Sequence, residues 1–369
     1  MKNLLIIVPR LHNNLHYRVM ALKNAGYNVS VVVWRESDNE RRDVLIPDVI
    51  GYSKIYSAIS KYVAKKVKSE KIKHLFDYQF ALINIRKLRK KIRYYKPDVI
   101  IIRGTPSISV ILTLILVMKT DSGLFMFIQT NKHDEKGIKK KIAVFVLKNI
   151  FRIKAIITPI RSNKETTHPY FKYIPFVIDR HDFEKTYFKN NKINIISVGK
   201  FTVRKDHLLL LMAFKKLRKK YNISLTIIGE ELNDVYWHRI NDFIKIHELE
   251  RHVTIIKNMS HEELLTVYKD YDLFVLPSYN EPAAFTPLEA MINKLPVIVS
   301  DSCGTQCYIQ HGVNGYVFKN KNIDDLEEKV RLIIDDKNRI VEMGMKSYEI
   351  AKTNHSLQVY SKQIKEIID

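Results

Sequence analysis

Cysteine is almost missing from this chain. The two that occur, Cys303 and Cys307, are too few for a disulfide framework and lack the second ligand pair of a structural zinc site, so reduced thiols in a cytoplasmic setting are the simplest reading. Long hydrophobic runs are missing too. The longest, Val110 to Met118, contains Thr113 and is about half the length needed to cross a bilayer. The apolar start, Leu4 to Val8, is shorter than the core of an export signal and is closed by Pro9 and Arg10. Neither export nor a transmembrane anchor is therefore expected. Low-complexity segments and sequence repeats are absent. Acidic residues are scarce beside basic ones: 39 Asp and Glu against 62 Lys and Arg leave a net charge of +23, which demands an anionic partner or surface.

At 369 residues, 46% of them hydrophobic, the chain exceeds what one core usually supports, and two domains are expected. The charge is unevenly spread. From Lys54 to Lys96, fourteen Lys and Arg face only Glu70 and Asp77, so about half of the excess sits in one segment. Within it, Tyr78, Leu82, Ile85, Leu88, Ile92 and Tyr95 recur at helical spacing, with Arg86, Lys87, Arg89, Lys90, Lys91 and Arg93 on the other faces. A basic amphipathic helix of this kind packs on a sheet, docks on anionic lipid, or does both.

The stretch from Leu273 to Gly315 carries the most information. Leu273 to Leu276 reads as a buried strand ended by Pro277, followed by a polar loop, Ser278 to Ala284, a helix, and a second strand, Pro296 to Ser300. Thr286 suits the N-cap of that helix, Pro287 its first turn, and Glu289 the carboxylate of a capping box. Strand, loop, helix, strand is half of a doubly wound sheet, where ligands bind at the carboxyl ends of strands. Glu281 and Glu289 bracket the loop, eight positions apart. Taken singly, Glu289 reads as a capping partner and Glu281 as a solvated carboxylate.

In combination they read differently. Glu-x7-Glu followed by Ala-Met, a Pro-Val-Ile strand and a Gly-x-Asn-Gly turn resembles the donor site of the retaining, family 4 type glycosyltransferases (glycosyl transferases group 1). The resemblance implies an α/β protein of GT-B architecture, two Rossmann-like doubly wound domains facing a cleft, and a hexosyltransferase-class activity. It implies that Glu281 contacts the donor sugar and Glu289 the ribose. Upstream, Gly199 and Lys200 close the strand Ile193 to Val198, and Lys205 follows. The family writes this as Gly-Arg, then a lysine, then glycine; here Lys200 replaces the arginine and Asp206 the glycine, with the cation spacing kept. Lys200 can neutralise a phosphate without the bidentate grip of a guanidinium. Other departures are Ala283 and Ala284 in place of an aromatic-glycine pair, and Cys307 where a glutamate is frequent. The first loop, Pro9 to Asn14, lacks the family's glycines.

The donor set is accordingly Gly199, Lys200, Lys205, Glu281, Ala284, Phe285, Thr286 and Glu289, with Glu281, Lys205, Lys200 and His133 as catalytic candidates. His133 is the nearest match to a histidine the family places near the donor sugar, and reads equally as a solvated loop residue. Asn13, His16 and Arg103 are candidates on the acceptor side. The domains are expected at 1–180 (acceptor) and 181–352 (nucleotide sugar), with a last helix, 353–369, returning to the first as the resemblance implies. Asp270-Tyr271-Asp272 spells a metal-type Asp-x-Asp but lies at the amino end of its strand, the wrong end for the site. No metal or other cofactor is expected.

The expected partners are a nucleoside-diphosphate sugar, a glycan or lipid-linked acceptor of surface polysaccharide or glycolipid synthesis, and the inner, anionic face of a membrane. Two other functions stay open. A nucleic-acid-binding protein would use the basic segment as a phosphate footprint, although that segment holds no recognisable recognition module and would leave Glu281 and Glu289 unexplained. A nucleotide-sugar epimerase of the same architecture would use the same donor site.

Overall fold

The computed structural model describes residues 1–35, 46–67, 76, 79–104, 107–129, 138–161, 169–179, 183–230 and 234–369. They form two compact units. Met1–Pro175 with Leu357–Asp369 makes the first, and Phe176–Ser356 the second. His133 lies outside the described residues, as does Tyr78.

The first unit runs β1 (Asn3–Val8), α1 (Asn13–Asn24), β2 (Asn28–Val33), β3 (Asp48–Val49), α2 (Lys54–Lys66), α3 (Ile85–Tyr95), β4 (Val99–Arg103), α4 (Ile108–Val117), β5 (Gly123–Phe127), α5 (Ile138–Phe145), β6 (Ile153–Thr158) and β7 (Phe171–Tyr173). Its sheet is parallel, in the order β3-β2-β1-β4-β5-β6-β7. Strands covered on both faces need continuous apolar sequence, which Leu4 to Val8 and Val99 to Ile102 supply, all of them buried. The helix expected from Tyr78 onward is shorter than its apolar period. It starts at Ile85, where the Asn84 side chain accepts from Lys87 N–H, and it buries Leu88 and Ile92. Leu82 therefore precedes the helix, because the cap stops the period from propagating upstream.

The second unit runs β8 (Ile193–Val198), α6 (His207–Leu217), β9 (Ile223–Gly229), α7 (Asp234–Ile246), β10 (Val253–Lys257), α8 (His261–Val267), β11 (Leu273–Leu276), α9 (Thr286–Ile292), β12 (Val297–Ser300), β13 (Gly315–Phe318), α10 (Ile323–Ile334) and α11 (Lys337–Asn354). Its parallel sheet has the order β10-β9-β8-β11-β12-β13. Helix α6 is apolar over most of its circumference and is buried accordingly; Leu211 has no exposed surface, so its truncation to alanine should cost about 2–5 kcal/mol. The unit begins at Phe176, whose N–H donates to Tyr308 Oη at 2.9 Å and whose carbonyl lies 2.7 Å from His355 Nδ1. Burial pushes His355 down to about 4, so the ring is neutral and donates to that carbonyl.

The last helix, α12 (Leu357–Ile368), belongs to the first unit and packs on α1. Arg18 Nε donates to Tyr360 Oη at 3.0 Å and Ser361 Oγ to the Ala21 carbonyl at 2.6 Å, while the Arg18 guanidinium covers the Phe127 ring at 3.7 Å. The Nε hydrogen bond and the aromatic face replace part of the hydration that this fully buried arginine gives up.

Candidate active site

Strand order locates the site in the second sheet. From β8 the chain winds outward to β9 and β10, then returns to β11 on the other side, so the loops leaving β8 and β11 diverge at their carboxyl ends and open a crevice. The β8 loop brings Lys200, Arg204 and Lys205, and the β11 loop brings Glu281.

Close backbone packing aims the lysine. A Cβ on Gly229 would stand 2.2 Å from the Gly199 carbonyl oxygen, and one on Gly199 would stand 3.0 Å from Lys205 Cδ. Only glycine lets β9 approach so near and lets the Lys205 stem lie over the end of β8. Asp206 then takes the left-handed conformation, φ 49°, which explains a glycine in the family pattern and its tolerance of aspartate here. Beneath the turn His207 is fully buried, its Nε2 3.0 Å from the Gly199 carbonyl; burial first, and the nearby Lys205 charge, push it down to about 4 and keep it neutral.

Lys205 Nζ reaches Glu281 Oε2 at 2.7 Å, and Arg204 Nη1 reaches the same oxygen at 2.6 Å. Glu281 is 6% exposed. Burial raises its pKa, but the Lys205 and Arg204 charges and hydrogen bonds overcome that, and the net shift is downward. The backbone of Glu281 is tied as well: its N–H donates to Ser302 at 3.2 Å and its carbonyl accepts from Gly304 N–H at 2.8 Å, so the β11 and β12 loops hold each other. Two cations on one carboxylate leave a surplus positive charge. Arg204 was not among the expected residues; its signal was an arginine directly preceding the expected lysine.

Lys200 does not join this cluster. Its Nζ pairs with Glu230 Oε2 at 2.5 Å, past the end of β9, with both side chains more than a third exposed. Ala284 is buried beside Glu281 in sequence, and Phe285 packs edge-on against Phe176 with centroids 5.4 Å apart.

The capping box expected at Thr286 and Glu289 is not formed. Thr286 is already the first helical residue, Phe285 stands at the cap position without a side-chain bond, and Thr286 Oγ1 is closed to solvent with no protein partner. Better donors hold Glu289. Its Oε1 lies 2.7 Å from His261 Nε2 and its Oε2 accepts from Tyr268 Oη at 3.0 Å, all three residues being buried. Burial, then the Glu289 charge, raise the Tyr268 pKa well above the ordinary value, so the phenol stays a donor. His261 opens α8, where Ser260 and Glu263 form a capping box. With seven residues, α9 offers an anion a weaker N-terminal dipole than the charged pair beside it.

The aspartates of the Asp-x-Asp are occupied. Asp272 is fully buried and accepts from the backbone N–H groups of Phe188 (2.8 Å) and Asn194 (2.7 Å), while Asp270 pairs with Lys189. In the first unit the break lies between β1 and β4. Asn13 begins α1, His16 is buried with its ring edge-on to Tyr17 at 5.2 Å, and Arg103 at the end of β4 donates to Gln129.

Comparison with known proteins bears on the family and the fold. Residues 179–350, which contain all the second-unit site residues, match the model of the glycosyl transferases group 1 family. The capsular polysaccharide biosynthesis glycosyltransferase CapM of Staphylococcus aureus is 24% identical over 62% of this chain and 63% of its own length. The chain spans 40% to 63% of the length of the first curated relatives that it matches. Among solved structures, a glycosyltransferase from Rickettsia africae superposes with a TM-score of 0.74 at 14% identity, covering 100% of this chain and 98% of that one. Anabaena HepE, solved in complex with UDP and glucose, superposes with a TM-score of 0.72 at 15% identity over 99% of both chains. Residues 179–350 are thus similar to the glycosyl transferases group 1 family, and the chain as a whole has the GT-B fold of these solved structures.

Proposed function

We propose that the chain transfers a sugar, with retention of anomeric configuration, from a nucleoside-diphosphate donor to a hydroxyl of a glycan or lipid-linked acceptor of surface polysaccharide or glycolipid synthesis. The observation that carries this is the pair of cations on one buried carboxylate, Glu281, at the break of the second sheet. A surplus positive charge there is complementary to a diphosphate. As the bond between the anomeric carbon and the phosphate oxygen breaks, negative charge grows on the leaving diphosphate, and Lys205 and Arg204 are already positioned to stabilise it. The acceptor oxygen forms the new glycosidic bond, and its proton passes to the departing diphosphate oxygen. Glu281 orients the sugar. Glu289 receives the ribose hydroxyls with the two acceptor positions that His261 and Tyr268 leave on its carboxylate.

The reaction is proposed to run without a divalent metal, because Asp272 spends both oxygens on backbone N–H groups at the amino end of β11. The donor reading is supported by the complex of Anabaena HepE with UDP and glucose, and the acceptor class by the capsular role in the name of CapM. Work at an anionic inner membrane face is supported by the basic segment; no helix among the described residues is long and apolar enough to cross a membrane.

Saturation transfer NMR against a panel of nucleotide sugars tests the donor site, and product analysis with chelator present tests the chemistry. Binding of one nucleotide sugar and transfer that survives chelation are expected. A nucleotide sugar epimerised in the absence of acceptor would replace transfer with isomerisation, and the lack of any nucleotide binding would remove the reading altogether.

A further inference from the structure

Helix α2 turns an apolar row outward. Ser53 caps it by accepting from Tyr56 N–H, and Tyr56 is its one buried residue. On the outer side Ile55 is 71% exposed, Ile59 44% and Tyr62 63%. At about 100° per residue these three lie within about 60° of one another, so they form one stripe. Lys54, Lys61 and Lys65 run along one flank about 100° away, and Lys66 continues the stripe at its end; all four are exposed. No carboxylate lies anywhere in the helix. The next described helix, α3, turns its apolar row inward: Leu88 and Ile92 are buried, while Ile85 at its first turn and Tyr94 at its last are exposed among Arg86, Lys87, Arg89, Lys90 and Arg93.

A second copy of the chain is a poor cover for this stripe, since self-pairing would set four lysines against four with nothing in the helix to neutralise them. An acidic, apolar-accepting surface fits. An interfacial helix has this make-up, an apolar face entering the headgroup boundary and lysines snorkelling to lipid phosphates. We propose that α2 inserts Ile55, Ile59 and Tyr62 into an anionic bilayer surface, with Lys54, Lys61, Lys65 and Lys66 on the phosphates. The proposal rests on the membrane reading given above and goes beyond it: attachment is hydrophobic as well as electrostatic, and α2 is the element that enters.

The experiment is flotation of the full chain with phosphatidylcholine vesicles with and without phosphatidylglycerol, beside UDP binding by the same proteins. Wild type should float with the anionic vesicles and keep part of its binding at high salt. The triple variant Ile55→Ser, Ile59→Ser, Tyr62→Ser should partition at least about tenfold less while binding UDP unchanged. In an otherwise intact chain, Ile59→Trp should shift its emission to the blue on binding and be quenched by brominated lipids beyond the background of the two native tryptophans. That variant reports even if the triple one misfolds. Flotation without quenching at position 59, fully released by salt and equal in the triple variant, would overturn insertion and leave an electrostatic membrane contact standing. No flotation at all would overturn insertion together with the membrane part of the functional reading, whereas the donor reading falls only if UDP and the other nucleotides fail to bind. A concentration-dependent dimer abolished by the serine substitutions would give the stripe to a second copy instead.

Discussion

At the break between β8 and β11, one buried carboxylate meets two cations, and backbone hydrogen bonds lock the loops that carry them. At the corresponding break between β1 and β4, His16 packs on Tyr17 and Arg103 donates to the neutral Gln129. The same strand plan is thus furnished in two ways. A diphosphate has one chemistry wherever it occurs, so a site for it needs fixed charge. On the proposed reading the first break takes the acceptor, which has no such common group; His16 there is packed on an aromatic ring and Arg103 donates to an amide oxygen.

The comparison breaks most easily by acid. His207 under the charged loop and His355 against Phe176 are both buried neutral in the second unit, with values near 4 against 6.5 for an unburied histidine. Because the unfolded chain binds these protons first, stability is full above pH 6.5 and falls as pH drops from 6.5 towards 4, by about 3 kcal/mol for each histidine. Urea titrations across that window should show the loss, and His355→Asn should flatten part of it. A midpoint that does not move between pH 6.5 and 4 would mean that neither ring is buried neutral.

The next effect is on the donor. Lys205→Ala should weaken binding of UDP, or of whichever nucleoside diphosphate the panel identifies, by about 1 to 3 kcal/mol by calorimetry. Unchanged affinity in the folded variant takes Lys205 out of the site. A smaller change separates the two outer cations. Arg204→Ala should cost about 1 kcal/mol and exceed the cost of Lys200→Ala, since Arg204 sits on the Glu281 cluster and Lys200 on Glu230. The reverse order would show that ligand draws Lys200 inward. Arg103→Ala should leave donor affinity alone and lower kcat/KM for acceptor roughly tenfold. If it weakens donor binding instead, the two breaks do not divide the substrates.

Much of the fold could be read before any coordinates. The inner strands, such as Leu4 to Val8 and Ile193 to Val198, are buried on both faces and show as apolar runs. The edge strands β3, β7 and β13 have two to four residues and one neighbour each, too short to leave such a pattern. Within the site, the family resemblance pointed to Lys200, Lys205, Glu281 and Glu289 as one group; the structure pairs Lys205 with Glu281, Lys200 with Glu230, and Glu289 with His261 and Tyr268. The capping role read for Thr286 and Glu289 is not formed. A capping box is inferred from neighbours three residues apart, whereas Glu289 is claimed by His261 and Tyr268 from the preceding helix and the turn that follows it.

What the sequence determined by itself is what local rules control: parallel strands from apolar runs, and a strongly basic segment from Lys54 to Lys96. Only the tertiary structure decided which partner each charged or apolar side chain keeps. Arg204 joins Glu281, Lys91 is spent on Asp48 at 2.6 Å, and Ile55, Ile59 and Tyr62 are left uncovered while Leu88 and Ile92 are buried. The reason is reach. Periodicity and capping act over a few residues, but a salt bridge or a buried face is won by whichever group the fold brings within hydrogen-bond or van der Waals distance, and those groups are tens of residues apart in the chain.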